Sequence, residues 1–219
     1  METLNGSNAV DLILIFAALA ILPFVALMVT SYVKIVIVLS LIRNALGIQQ
    51  NPPNLVLNGL AIILSLYVMS PVTIAMFDAA KAGTFDVKNR EGILETIENV
   101  QTPLVGFLGK HASEREQKFF KDTAYKLWPE EQASALEEDS LMVLVPSFTV
   151  SELTSAFQMG FLLYLPFIAI DLIVSNILLA LGMMMVSPMT ISLPLKLLLF
   201  VTVDGWTRLI HGLVLTYAS

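Results

Sequence analysis

Long apolar stretches without a single charge dominate the chain, and one charged region interrupts them. The uncharged runs cover residues 12–33, 44–77, 153–170 and 172–195. A helix needs about 20 consecutive apolar residues to cross the hydrocarbon core of a bilayer. Three runs reach that length, and only Asp171 separates the third run from the fourth. The pattern therefore predicts an integral membrane protein.

The runs predict four hydrophobic helices that form two hairpins, an all-α fold. We expect the helices at about residues 12–38, 55–77, 156–184 and 191–215. Prolines inside the runs favour kinks in these helices.

Helix-breaking residues mark the two expected turns. Residues 43–54 contain Gly47 and two consecutive prolines, and residues 186–192 contain Pro188. The sequence therefore predicts one tight turn in each hairpin.

A soluble helical insert is predicted between the hairpins. Residues 78–150 contain 13 acidic and 8 basic residues, whereas the remaining 146 residues share 5 acids and 4 bases. Ser113 and Glu116 match a capping box at the start of a helix. The resulting division is a hairpin at 1–77, the insert at 78–150 and a second hairpin at 151–219.

Lysine and arginine in short loops predict the orientation. Lys34 and Arg43 flank the first turn, and Lys196 follows the second. Both turns are then expected to face the cytoplasm, and the insert the periplasm. Because no base precedes Lys34, the basic region of a cleaved signal peptide is lacking, and we expect the first helix to be retained.

Composition and motifs argue against an enzyme. The chain is 56% hydrophobic and 14% charged, its net charge is −6, and it has no cysteine. The negative charge gives no reason to expect nucleic-acid binding. Metalloprotease, nucleophile-elbow and phosphate-loop motifs are absent from the sequence, which contains two histidines. We expect no catalytic residue, no cofactor and no metal.

Two ionisable residues stand out within the second hairpin. Asp171 and Lys196 are 25 positions apart. A turn centred on residues 183–184 places them at the same level, whereas a turn centred on Pro188 does not, and a pair between subunits is then expected. Charged groups at bilayer depth face protein or water and find partners. The favoured interpretation is a structural ion pair that fixes the assembly, and the alternative is an ion-binding or proton-relay site.

The last helix carries three further polar residues and a nearby methionine run. At 100° per residue, Asp204, Arg208 and His211 share one face with Lys196, which predicts a polar stripe that must be covered. Near the second turn, Met183, Met184 and Met185 form a flexible apolar tip. Three methionines are either filler in an apolar segment or a ring of tips that closes a pore.

Several motifs resemble the export-gate membrane proteins of bacterial type III secretion, the SctR/FliP family. The resemblance covers nearly the whole chain and is weakest in the insert. Flagellar members generally are longer and carry a cleaved signal peptide, so this chain is more similar to the injectisome branch. The motifs are LPFIAID at 165–171, LGMMM at 181–185, ISLPLKLLLF at 191–200, VDGW at 203–206, RNALG at 43–47, NPPN at 51–54 and SEL at 151–153.

The resemblance implies a pore-forming subunit of the bacterial inner membrane. Five copies are expected to assemble in the lipid membrane with two smaller export-apparatus subunits, and a large export-gate protein docks below. Unfolded substrates pass through the central channel. The methionine gasket of the family corresponds to Met183, Met184 and Met185, and its acidic–basic pair to Asp171 and Lys196.

Two other functions fit the residues. One is a small-solute or ion transporter with an intramembrane Asp171–Lys196 site, which would work as a self-contained unit. The other is a structural scaffold that nucleates the secretion machine without forming its channel.

Overall fold

The computed structural model describes residues 6–48, 51–82, 90–137 and 139–218. This part of the chain folds into nine α-helices, which confirms the predicted all-α fold. Residues 1–5, which include the acidic Glu2, lie outside the described residues. The helices are α1 (Gly6–Met28), α2 (Tyr32–Leu46), α3 (Asn54–Ala82), α4 (Arg90–His111), α5 (Glu114–Leu127), α6 (Glu130–Ser134), α7 (Leu141–Ala180), α8 (Pro188–Thr202) and α9 (Gly205–Leu215).

The helix expected over residues 12–38 is broken in two. Helices α1 and α2 meet at an angle of 64°. The Thr30 hydroxyl donates to the Leu27 carbonyl and accepts from the Tyr32 amide, so it bonds the backbone on both sides of the break. Serine and threonine side chains compete with helical hydrogen bonds in this way. The spacing of apolar residues does not reveal such a break.

The last predicted helix, 191–215, is also broken. Helices α8 and α9 are bent by 61° at Val203 and Asp204. Asp204 has a φ of +52°, in the left-handed region that ends a right-handed helix. A single helix over this segment was therefore a wrong prediction.

Helix α7 is longer than predicted and begins earlier. It starts at Leu141 rather than near 156, and its 40 residues extend over about 60 Å. The Ser140 hydroxyl caps it by accepting from the Met142 amide. The helix continues through Pro146 and Pro166. It therefore crosses the predicted boundary at residue 150 without interruption.

The two turns lie close to the predicted positions. Helix α2 ends at Gly47, whose φ of +75° provides the left-handed C-cap, and α3 begins at Asn54. The second connection occupies residues 181–187, somewhat before the predicted 186–192. Pro188 opens α8 as its first residue, a position where a missing backbone donor costs nothing.

The insert is helical, as predicted. It contains α4, α5 and α6, and the Ser113 hydroxyl accepts from the Glu116 amide at 3.3 Å at the start of α5. Helix α4 packs against α3, and both α4 and α5 pack against the first part of α7. The insert therefore rests directly on the hydrophobic helices.

The core lies where α2 meets α7. Near the start of α2, Lys34 contacts Glu152 on α7. Near the end of α2, Ala45 is linked through Lys196 to Asp171, which lies later on α7. Since the later residue of α2 meets the later residue of α7, the two helices run parallel. The turn after α2 and the tip after α7 therefore point toward the same end of the molecule.

Helices α3 and α7 are each long and apolar enough to cross a membrane. The two bent pairs, residues 19–28 with α2 and α8 with α9, raise the number of candidate spans to four. Much of the apolar surface of these helices is exposed in the single chain.

Candidate functional site

The first polar centre joins the two arms of the second hairpin. The Lys196 ammonium lies 2.6 Å from the Asp171 carboxylate, and the Ser192 hydroxyl donates to the other oxygen of Asp171 at 2.7 Å. The connection at residues 181–187 places α7 and α8 side by side, so the pair forms within one chain. The Lys196 side chain is 5% exposed and that of Asp171 is 43% exposed.

Lys196 also joins the two hairpins. Its ammonium donates to the carbonyl of Ala45 at 3.0 Å, in the last turn of α2. Carbonyls at a helix C-terminus have no partner within their own helix and carry partial negative charge. A buried lysine at this position therefore satisfies both a carboxylate and a helix end.

The second polar centre is more deeply buried. The Lys34 ammonium lies 2.7 Å from the Glu152 carboxylate, and their side chains are 5% and 2% exposed. The Tyr217 hydroxyl donates to the other oxygen of Glu152, and the Lys34 ammonium sits 4.1 Å from the centre of the Tyr217 ring. Ring and ammonium at this distance attract through the ring quadrupole.

Side chains from α3 and α4, together with Ser31 at the start of α2, surround this centre. The Ser31 hydroxyl donates to that of Ser65 on α3 at 3.1 Å, and the Phe107 ring stacks on Tyr217 at 6.2 Å. The His111 ring meets Tyr217 edge-on at 5.2 Å. Burial lowers the pKa of His111 below its ordinary value, and the charges of Lys34 and Lys110 lower it further.

The three methionines form the exposed tip between α7 and α8. Met183 is 43% exposed, Met184 82% exposed, and Met185 fully exposed. From Asp171 to the end of α7 the helix extends over about 13 Å. The tip therefore projects well beyond the ion pair at its base.

The predicted polar stripe is not a single face. Because the helix breaks at Asp204, that residue caps α9, and its carbonyl accepts from the Arg208 amide. Lys196 is buried on α8, whereas Asp204, Arg208 and His211 are exposed. The helical projection fails here because it assumes one continuous axis.

Sequence reasoning missed the Lys34–Glu152–Tyr217 centre. Lys34 was used to orient the first turn, although its burial means that it is not a loop charge. The signal was present in the charge pattern, since Lys34 directly follows one uncharged run and Glu152 directly precedes another. Isolated opposite charges at the ends of apolar runs are candidates for a buried pair.

The polar groups of both centres contact one another within the chain. Within the described ranges, no group of three or more His, Asp or Glu side chains is placed to hold a metal ion. The buried ionisable groups described above are engaged in ion pairs and hydrogen bonds with each other. The structure thus defines the chain as a helical-hairpin membrane protein whose helices are joined by two ion pairs, one of them fully buried.

Comparison with known proteins gives the family. The sequence profile of the FliP family matches residues 15–213. The chain is 56% identical over 212 residues to "Yop proteins translocation protein R" of Yersinia pestis, covering 97% of this chain and 98% of that protein. The chain belongs to the FliP family, which confirms the resemblance seen in its motifs.

Other relatives match at similar length. The chain is 50% identical over 213 residues to "Hypersensitivity response secretion protein HrcR" of Ralstonia nicotianae, covering 94% of this chain and 96% of that protein. It is 46% identical over 214 residues to "Virulence protein YscR" of Salmonella typhimurium, with coverage of 96% and 98%. These relatives belong to the injectisome branch rather than the flagellar one.

Proposed function

We propose that this protein is a pore-forming core subunit of the type III secretion export gate in the bacterial inner membrane. Several copies, five according to the family resemblance, assemble with two smaller export-apparatus subunits next to the large export-gate protein. Unfolded substrates cross the membrane through the resulting channel. The names of the relatives, which refer to translocation and secretion, support the general role.

The exposed methionine tip is the observation that carries the proposal. Met184 and Met185 have almost no contacts within their own chain, so their thioether side chains are available to meet copies of the same tip. Methionine side chains are flexible and polarizable and fit surfaces that change shape. A ring of such tips closes around a passing chain of any sequence and seals when no chain is present.

The exposed apolar surface supports assembly with other helices. Helices α3, α7 and α8 contain Pro71, Pro166 and Pro194 and expose large apolar side chains on several faces. Little of their apolar surface is therefore buried within one chain. The ion pairs hold the hairpins of one chain together, and the exposed apolar faces outside them are available to neighbouring helices. We propose that these faces pack against other subunits.

We also propose an orientation. Both hairpin connections lie toward one end of the molecule, because α2 and α7 run parallel. Arg43, at the end of α2, donates to the Pro52 carbonyl in the first connection. On the basis of this basic residue, that end faces the cytoplasm and the insert faces the periplasm.

A leak experiment tests the gasket. Replacing Met183, Met184 and Met185 together with alanine shortens every side chain at the tip, so the closed ring no longer seals. We expect cells with the variant to admit small solutes that the wild type excludes. Assembly of the complex, followed by native gel electrophoresis, should be preserved.

Met142→Ala is the matched control, because Met142 is exposed at the other end of α7. The control should show no leak. An assembled complex that stays sealed without the three methionines would overturn the gasket role and leave the scaffold as the better function. Solute transport by the purified chain alone would favour the transporter instead.

A further inference from the structure

Helix α9 turns a polar side outward. Its inner side is formed by Leu209 and Leu213, which belong to the hydrophobic core shared with α2 and α7. At 100° per residue, Arg208 and His211 fall on the side away from these leucines, and both are exposed. Asp204 lies one turn before Arg208, at the N-cap, and is also exposed. The outer side therefore carries ionisable groups over about 10 Å of its length.

These ionisable side chains have no partner in the described part of the chain. Within it, the side chains of Asp204, Arg208 and His211 form no ion pair, hydrogen bond or ring contact. Asp204 and Arg208 have opposite charges and the four-residue spacing of a helical ion pair. In an apolar medium their attraction would bring them together, whereas in water such a pair gains little and the groups stay apart. Their separation therefore fits a wet surface.

The polar side of α9 does not suit lipid. Helices α8 and α9 together form one of the bent candidate spans, and apolar side chains lie on either side of the polar stretch. Val201 is 71% exposed and Leu215 is 65% exposed. Charged groups within a span face protein or a water-filled cavity. The outer side of α9 therefore lies against another subunit or against water.

The distribution of exposed surface favours water. The exposed faces of α3 and α7 are apolar and suit contact with other helices, whereas α9 presents both signs of charge on consecutive turns. In a ring of identical copies, the same face of every copy can turn toward the axis. A passage must hold its cargo weakly enough to release it, and a wall of mixed charge meets this need for a chain of any sequence.

We propose that the outer side of α9, formed by Asp204, Arg208 and His211, lines the water-filled channel and contacts the unfolded polypeptide that passes through it. This inference rests on the channel proposed above and adds the position of its polar wall. In a ring of copies, the three residues form successive bands of charged or ionisable groups. The methionine tip supplies the apolar closure, and α9 supplies the wetted wall.

Thiol labelling tests the location, because the chain has no cysteine and each variant then has a single reactive thiol. Arg208→Cys and His211→Cys are treated with a charged, membrane-impermeant methanethiosulfonate reagent. The assembled complexes are held in lipid nanodiscs, with and without a stalled secretion substrate, and labelling of this chain is measured by mass spectrometry. We expect both thiols to be labelled in the empty complex and to lose most of this labelling when the substrate is present.

Two further cysteines calibrate the experiment. Ile63→Cys is the matched control, because Ile63 is 65% exposed on the apolar surface of α3. It should remain unlabelled with and without the substrate. Met184→Cys reports the channel itself and should be protected by the substrate.

Three labelling results would overturn the proposal. Labelling in the isolated chain but not in the empty complex would assign the outer side of α9 to a contact between subunits. Labelling in neither form would place it against lipid or detergent. Labelling unchanged by the substrate would place it outside the passage. In this last case, protection of Met184→Cys would leave the channel standing without this wall, whereas an unprotected Met184→Cys would remove the channel as well.

Ion preference gives an independent measurement in the leaky variant with alanine at positions 183–185. Asp204→Asn leaves the positive charge of Arg208 in excess and should shift the leak toward anions, and asparagine tolerates the left-handed backbone at this position. Arg208→Gln leaves Asp204 in excess and should shift the leak toward cations. Glu114→Gln, which removes an exposed charge on α5, is the control and should change nothing. Unchanged preference in both α9 variants, or a shift in the same direction, would contradict a wall formed by this helix.

Discussion

Lys34 and Glu152 form an ion pair of 2.7 Å in an almost fully buried site, although 118 positions separate them in the chain. The pair joins α2 to α7, and the Tyr217 hydroxyl adds the C-terminal segment by donating to the same carboxylate. Removing two charges from water is costly unless each group is paired and hydrogen-bonded. The geometry meets this condition, so the pair specifies how the two hairpins meet.

Replacing one partner of this pair should lower the unfolding free energy more than replacing both. Lys34→Met leaves the Glu152 carboxylate buried without its cation, and we expect a loss of about 3–5 kcal/mol of unfolding free energy. The double variant Lys34→Met/Glu152→Leu removes both charges and should regain most of that loss. Thermal unfolding in detergent, followed by tryptophan fluorescence, measures the difference.

Lys126→Met is the control for loss of a lysine, because Lys126 is exposed on α5. It should change the unfolding temperature little. A double variant as unstable as Lys34→Met would show that hydrogen bonds to Tyr217 and neighbouring groups, rather than the uncompensated charge, dominate at this centre.

Exchanging the two charges of the second ion pair should not restore assembly. In Asp171→Lys/Lys196→Asp, the carboxylate at position 196 would face the Ala45 carbonyl, which accepts a hydrogen bond from the ammonium in the wild type. Leaving this buried acceptor without a donor costs about 1–3 kcal/mol. We therefore expect the swap to remain at least as defective in assembly as Asp171→Lys alone, measured by native gel electrophoresis.

Ser192→Ala tests how much the neighbouring hydroxyl contributes, since it donates to Asp171 without contacting Ala45. This variant should assemble nearly normally. Full assembly of the swapped protein would mean that the two charges act as an isolated pair, independent of the end of α2.

A close approach between α2 and α7 should make replacement of one glycine destabilising. A Cβ at Gly160 would collide with the Leu41 side chain, whereas a Cβ at Gly59 meets no atom within 4 Å. Overpacking a buried contact costs about 1–3 kcal/mol, and replacing an unhindered helical glycine with alanine gains up to about 1 kcal/mol. Gly160→Ala should therefore lower the unfolding temperature, and Gly59→Ala should raise it slightly.

Urea denaturation of the same pair in detergent provides a second measurement. Equal shifts in both variants would contradict the packing geometry. The pair is well matched, because each substitution adds one methyl group inside a long helix.

Stability should fall with acidity because of His111. Its lowered pKa means that the folded protein favours the neutral ring, so its contribution is complete above the unfolded pKa of about 6.5. The contribution is lost as the pH falls through the folded-state value. We expect unfolding temperatures at pH 7.5 and pH 5 to differ less in His111→Gln than in the wild type.

His211→Gln is the matched control, since His211 is exposed on α9. It should keep the full pH dependence of the wild type. A loss of pH dependence in the control, with none in His111→Gln, would contradict this role of His111.

The sequence predicted the number and order of the hydrophobic segments well. Uncharged runs report burial in lipid or protein, so they located α3 and most of α7 and α8. They did not locate the bends at Thr30 and Asp204, because these depend on local hydrogen bonds and one left-handed residue. Nor did they show that α7 starts at Leu141, since its first residues border on the charged insert.

The sequence predicted one of the two polar centres and missed the other. Asp171 and Lys196 interrupt apolar segments, so their cost in a membrane drew attention to them. Glu152 and Lys34 lie at the ends of such runs, where their isolation and opposite charge were the signal for a pair but did not show that it is buried. Tyr217 could not be connected to either residue from the sequence, because that contact depends on the bend between α8 and α9.

Site-specific photo-crosslinking of a stalled secretion substrate tests the channel most directly. A photoreactive residue at position 184 lies on the exposed tip that follows α7, and one at position 142 lies at the opposite end of α7. If the tips surround the passing chain, position 184 should cross-link to the substrate and position 142 should not. Correctly assembled complexes with no cross-link at position 184, or with equal cross-linking at both positions, would contradict a pore closed by this tip.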